Sequence, residues 1–316
     1  MWIPVVFIIA SGAALAQDLT PSVSWKPNIT SSKDESISVA SAALEKALGY
    51  GMNYGYAAAR SYTAHQDPDF LDLAVTSWTS ARRYTISKEQ AASGIVEAVS
   101  VIDDYNWSFH ELRLTATLAG GTYRMIDFDA LGLSGTASGA FLVVSALLAE
   151  ATSNQTYLDA AIESTNFIQS HLLNPSDIVL ASISSQSNNP CSIQPVTYSY
   201  DSGIFIEGLA ILGDITHNAS TETLLRSTIV ATTTNPLWQG LDGIVTTTEP
   251  GGLFIMRALA ALYERNTTSS DLRDYIKEYV GVQYNAVVEQ ARATDGSNIY
   301  GLPWTGPPNT SFSGVN

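Results

Sequence analysis

A helix that is apolar on every side has to be covered on every side. Residues 140–148 (AFLVVSALL) leave only Ser145 polar through more than two turns. Such a helix cannot rest on a surface or lean on a single neighbour, so the chain must provide a second layer of structure around it. It does so repeatedly. Starting near residues 53, 138, 202 and 251, a helix of small and apolar residues is followed by a short turn and an amphipathic helix. Each second helix opens with Asp, Asn, Ser or Thr and then sets a Phe, Tyr or Leu anchor. In the first repeat Asp67 is placed to cap and Pro68 to occupy the first helical position. Phe70, Leu73, Ala74, Trp78 and Ala81 follow at spacings of three and four. In the last repeat Leu272, Tyr275, Ile276, Tyr279 and Val282 keep the same rhythm. Apolar helices inside and amphipathic helices outside predict an all-α fold, an (α/α)6-type toroid of helical hairpins. With four hairpins and one further helix over 35–48, the toroid is expected to be incomplete.

The charge balance narrows the partners. Thirty acidic against fifteen basic side chains give a formal charge of −15, and tracking a nucleic-acid backbone or an anionic membrane takes clustered Lys and Arg. Residues 2–9 form an apolar run, and Ala14-Leu15-Ala16 supplies a small-x-small cleavage site, so 1–16 reads as a signal peptide and the protein as secreted. Residues 17–34 read as a flexible lead-in and 35–316 as one toroid domain. No other apolar stretch is expected to be long enough to span a membrane. Six Asn-x-Ser/Thr sequons, at Asn28, Asn106, Asn154, Asn218, Asn266 and Asn309, fit a glycosylating secretory route. Cys191 is the only cysteine, either a free thiol or half of an intermolecular bridge. The four histidines are never spaced i, i+3 or i, i+4, so neither a metal site nor a cofactor is expected.

Long loops separate the hairpins at 118–134, 175–198, 236–250 and 296–308. The β-branched runs at 178–183 and 243–247 predict small β-hairpins over one mouth of the toroid. Gly-flanked aromatic and acidic stretches enter the inner helices: Gly120, Gly121 and Tyr123; Tyr198, Tyr200 and Asp201; Gly251, Gly252 and Phe254. Each can serve as cap or hinge, with Asp201 an N-cap. Converging at one mouth, they would offer the aromatic faces and hydroxyls that suit a neutral sugar. Asp127, Asp129 and Glu207 are further acids near that mouth, Glu207 mid-helix among apolar residues as a buried structural group. His65, His171 and His217 close helices, where a cation complements the dipole.

Gly120-Gly121-Thr122-Tyr123, the helix over 138–151 with Tyr157-Leu158-Asp159-Ala160-Ala161, Tyr198-Ser199-Tyr200-Asp201-Ser202-Gly203-Ile204, residues 252–263, and Tyr300-Gly301-Leu302-Pro303-Trp304 together resemble the glycoside hydrolase family 76 proteins. The likeness is to the α-1,6-mannanase-like enzymes of that family, particularly its secreted basidiomycete members. It runs from about residue 53 to 308. The resemblance implies an (α/α)6 barrel and a polysaccharide cleft with Gly120, Gly121, Tyr123, Tyr200, Asp201 and Trp304 as substrate-binding residues. It also implies retaining hydrolysis of, or transfer from, α-1,6-mannose linkages in a cell-wall mannan. Retaining chemistry needs two carboxyls about 5 Å apart. The family's Asp-Asp pair falls on Gly49 and Tyr50 here, which carry no carboxyl. Asp103-Asp104, beside Tyr105, Trp107, His110 and Glu111, is the one Asp-Asp pair in the chain and the candidate catalytic pair; a solvated acidic turn is its other reading. A non-catalytic glycan-binding or cell-wall protein is therefore the alternative to a hydrolase or transglycosidase. The negative charge favours neutral over phosphorylated mannans.

Overall fold

The computed structural model describes residues 54–93, 95–96, 112–113, 118–124, 132–185, 191–247, 251–293, 300–301 and 303–306. Four helical hairpins occupy most of these. The inner helices are α1 (Tyr54–His65), α4 (Gly135–Thr152), α6 (Ser199–Thr216) and α8 (Gly251–Arg265). The outer partners are α2 (Pro68–Arg82), α5 (Gln155–Phe167), α7 (Ala219–Thr233) and α9 (Ser270–Glu289), with a short α3 (Lys88–Ser93) after α2. The expected helix over 35–48 lies outside the described residues.

Three hairpin turns share one device. The last inner-helix residue is followed by a left-handed residue, Gln66 (φ 56°), Ser153 (φ 55°) or His217 (φ 50°, the C-cap of α6). The next residue caps the outer helix through its side chain: Asp67 accepts from the Asp69 amide (3.0 Å), Asn154 from Thr156 (2.9 Å) and Asn218 from Ser220 (2.8 Å). The chain reverses without leaving the first outer amides unpaired.

The inner helices α4, α6 and α8 lie side by side because α6 presents glycines to both neighbours. A Cβ on Gly203 would stand 2.7 Å from the backbone of Phe254 and Ile255 on α8, and one on Gly208 would stand 2.5 Å from Leu142 on α4. Phe205, Leu209, Leu142, Ala146 and Leu148 are fully buried between the layers, each such large side chain contributing roughly 1.5–3 kcal/mol by leaving water. A satellite cluster of Ile244, Val245, Val282, Ala286, Ala291 and Trp304 packs beside the start of α8.

All-round burial holds for α4 and α6, which are more buried than α5 and α7. In α1 and α8 it does not hold: these carry Arg60, Arg257 and Arg265 on faces turned to other inner helices, and α8 is no more buried than α9. One expectation is corrected. Gly135–Thr152 is long and apolar enough by length and composition to cross a membrane, yet 61% of it is buried inside the fold. An inner toroid helix passes the same test because its solvent is protein on every side.

One end of the toroid, where the inner helices begin, carries the β-structure. Strands β3 (Gly132–Ser134), β4 (Leu180–Ser184) and β5 (Ile193–Thr197) form an antiparallel sheet in that order, with Leu133 opposite Ile183 and Ile183 opposite Ile193. The run at 243–247 closes a smaller turn through a Gln239–Val245 bridge. A two-residue ladder, β1 (Ile95–Val96) with β2 (Leu112–Arg113), brackets the segment between them.

Candidate functional site

The first turns of α4 and α6 meet at this end. Asp201 is not the N-cap expected of it, since Tyr198 holds that position; it stands in the first turn of α6, where the helix dipole favours an anion, and is 1% exposed. Its carboxylate accepts from the Thr136 hydroxyl of α4 at 2.5 Å. Ser202 accepts from the Val179 amide at 3.1 Å and Ser138 from the Thr122 amide at 2.9 Å, so serines on the inner helices tie the loops down. Above them lies a cavity of about 220 Å³ whose walls include Arg124, Thr136, Gln194, Tyr198, Tyr200 and Asp201. The Tyr198 and Tyr200 rings stack at 5.0 Å and 8°, and Tyr200 meets Phe254 of α8 edge-on at 6.3 Å.

Arg124 also borders a second cavity of about 370 Å³, whose walls include Tyr56, Trp78, Tyr84, Tyr123 and Phe141. Trp78 is fixed there by its indole N–H donating to Ser145 at 2.8 Å and by stacking on Phe141. Tyr123 donates to Ser185 at 3.0 Å, and burial pushes its phenol above the ordinary range. Sharing Arg124 as a wall, the two cavities line this end of the toroid, polar on the α6 side and aromatic on the α1 side.

Deeper, three inner helices meet. Glu207 of α6 is fully buried and accepts from Arg257 Nε of α8 at 2.7 Å. The guanidinium lies over the rings of Tyr56 (4.2 Å) and Phe254 (4.8 Å). Burial, then the charge of Glu207, drives the Tyr56 phenol far above its usual value. Further along the inner helices Arg60 pairs with Glu264, and near their C-terminal ends Arg265 pairs with Glu150.

Tyr200 and Asp201 share the first cavity and Tyr123 lines the second. Gly120 and Gly121 pack against α5: Gly120 sits at φ 87°, and a Cβ there would stand 2.2 Å from the Glu163 carbonyl oxygen. Trp304, 6% exposed, is held in the satellite cluster against Gly252. Asp103, Asp104, Asp127, Asp129, Gly49, Tyr50, Asn28, Asn106 and Asn309 lie outside the described residues. Glu207 is buried and ion-paired as expected of a structural acid. His65 ends α1, His171 sits in the single π turn after α5, and His217 is the C-cap of α6. Sequence reasoning missed Arg124, Thr136, Gln194, Tyr56 and Arg257. Only Thr136 had a local signal, standing next to the Ser134-Gly135 helix start.

Inner and outer helix layers with a single β-capped mouth make this an α/α toroid. The profile of glycosyl hydrolase family 76 matches residues 134–315, more than half of the 316-residue chain, and the chain belongs to that family. Solved structures share the fold. One is an inactive variant, two adjacent aspartates replaced by asparagine, of an α-1,6-mannanase of Salegentibacter sp. HEL1_6 in complex with α-1,6-mannotriose. It has TM-score 0.63 and 16% identity, over 80% of this chain and 67% of that one. A family 76 α-mannanase of Bacteroides thetaiotaomicron gives TM-score 0.60 and 17% identity over 81% of this chain and 61% of that one. Dfg5 of Chaetomium thermophilum in complex with glucosamine gives 0.50 and 16%, over 58% and 48%. No curated protein matches the chain significantly.

Proposed function

We propose that this protein is a secreted glycoside hydrolase or transglycosidase of α-1,6-mannan, a neutral cell-wall polysaccharide, and that it works at the mouth described above. One observation carries the reading: the family match over 134–315 contains every wall of the 220 Å³ cavity named above except Arg124. Hydroxyls, an amide, a guanidinium and tyrosine faces around one concavity are the groups that recognise a polyhydroxylated, uncharged ligand. The mannanases that share the fold act on such a glycan.

Catalysis on this reading rests on Asp103 and Asp104, one as nucleophile and one as general acid. The chain leaves α2 through Ile86 and comes back beside it, with the Gly120 amide donating to the Ile86 carbonyl at 2.8 Å and Thr85 bridging Thr122. Asp103-Asp104 is the one adjacent pair of aspartates in the chain, which supports the assignment. One observation favours a second reading, a non-catalytic glycan binder. Among the described residues Asp201 is the only carboxylate on the cavity walls named above, and its Oδ1 is engaged by Thr136.

Titration with α-1,6-mannotriose tests the site. Tyr200→Ala removes the ring between Tyr198 and Phe254, and binding is expected to weaken by about tenfold, the worth of one aromatic contact. Unchanged affinity would move the ligand elsewhere.

The secretory part of the proposal has its own check. Asn154, Asn218 and Asn266 are exposed at the hairpin turns, the end away from the mouth. In Asn154 and Asn218 the Oδ1 does the capping, and a glycan is carried on the other amide atom, so cap and sugar are compatible. Protein secreted by a eukaryotic host is expected to lose mass at these three positions on enzymatic deglycosylation without losing mannotriose binding. Unmodified asparagines would contradict it.

A further inference from the structure

Tyr200 and Glu207 stand seven residues apart on one face of α6, about 10 Å of helix rise. Phe254 and Arg257 stand three apart on the facing stripe of α8. The upper pair meets edge-on at 6.3 Å, and the lower pair is joined by the 2.7 Å hydrogen bond. Tyr56 of α1, itself a wall of the larger cavity, has its ring 4.2 Å from the guanidinium. One continuous stripe therefore runs from the aromatic mouth down to Arg257, whose side chain keeps 28% of its surface open.

Stability alone is a poor account of this arrangement. An ion pair with one member fully buried roughly breaks even against apolar residues of the same shape. Here Glu207 is also wholly withdrawn from water, which adds cost. What the arrangement achieves is rigidity. Nε is tied to Glu207 and rings lie over the guanidinium, so the Nη edge is left as a fixed fork of donors.

We infer that Arg257 is a glycan-contacting residue at the floor of the mouth, donating from its Nη atoms to sugar hydroxyl oxygens, and that Glu207 is its positioning residue. This deepens the mannan reading above and rests on it. The substrate class is neutral: the guanidinium charge is already matched by Glu207, so a phosphorylated sugar gains little from it, whereas a pair of neighbouring hydroxyls fits the fork.

Calorimetric titration of the full secreted protein with α-1,6-mannotriose tests it. Arg257→Lys keeps the charge but loses the planar fork, and is expected to weaken binding by about tenfold or more while the thermal midpoint stays within a few degrees. Arg60→Lys, one helical turn beyond Tyr56 and paired with Glu264 outside the cavity walls, is expected to bind as the unmutated protein does. Binding by Arg257→Lys within about twofold of the unmutated protein overturns the inference and leaves the mannan reading standing; no binding by the unmutated protein overturns both. A second measurement needs no variant. Phenylglyoxal labels accessible arginines, and saturating mannotriose is expected to protect the peptide containing Arg257 but not those containing Arg60 or Arg265. Equal labelling of Arg257 with and without mannotriose overturns the inference.

Discussion

Arg257→Leu is expected to lower the unfolding free energy by about 3–5 kcal/mol, because it strands the Glu207 carboxylate in the interior with neither charge partner nor water. Glu207 is fully buried and Arg257 is its ion-pair partner within 4.0 Å. The double variant Glu207→Leu/Arg257→Leu is expected to recover most of that loss, since apolar residues of similar volume replace a buried pair at little cost. Urea denaturation followed by far-ultraviolet circular dichroism gives both numbers. A single-variant loss under about 1 kcal/mol would mean that water reaches Glu207 and that the pair is an ordinary surface contact.

The second large effect concerns chemistry. Asp103→Asn and Asp104→Asn are each expected to reduce release of reducing sugar from α-1,6-mannan by about a hundredfold or more, the usual loss when a nucleophile or general acid is removed. Neither change is expected to weaken mannotriose binding by a comparable factor, because Thr136, Gln194, Tyr198, Tyr200 and Asp201 of the polar cavity are left in place. Undiminished release in both variants removes these residues from the mechanism. The carboxyls of the reaction would then have to come from elsewhere in the chain.

How much of this was legible in the sequence differs from helix to helix, for physical reasons. α4 and α6 were plain because all-round apolarity admits one solution, an inner layer. The hairpin turns were equally plain where Asp67, Asn154 and Asn218 announce themselves as caps. α1 and α8 were harder. Their arginines look like solvent-facing residues in a linear reading, and their partners are remote: Glu207 lies 50 residues from Arg257, Glu150 115 from Arg265, and Glu264 204 from Arg60. No local periodicity encodes a contact between helices so far apart in sequence.

The site shows the same division. Tyr200 and Asp201 were readable because they sit at a helix start, where a polar and aromatic cluster stands out against an apolar run. Gln194 was not, because a glutamine in a strand is ordinary until the pairing of β4 with β5 brings it to the cavity wall. Trp304 illustrates the reverse. An aromatic residue in a Gly-Pro-rich loop reads as a ligand platform, and the structure holds its ring against Gly252 and Val245 in a packed cluster.

On the proposed function, α-1,6-mannan is bound and cleaved at the β-capped mouth. Incubating the deglycosylated secreted protein with α-1,6-mannan, and recording bound polysaccharide and new reducing ends in the same samples, tests it most directly. Binding together with release of reducing ends is expected, both reduced when Tyr200 is replaced by alanine. Binding without release would make the protein a mannan-binding member of its family, and neither binding nor release would contradict the account.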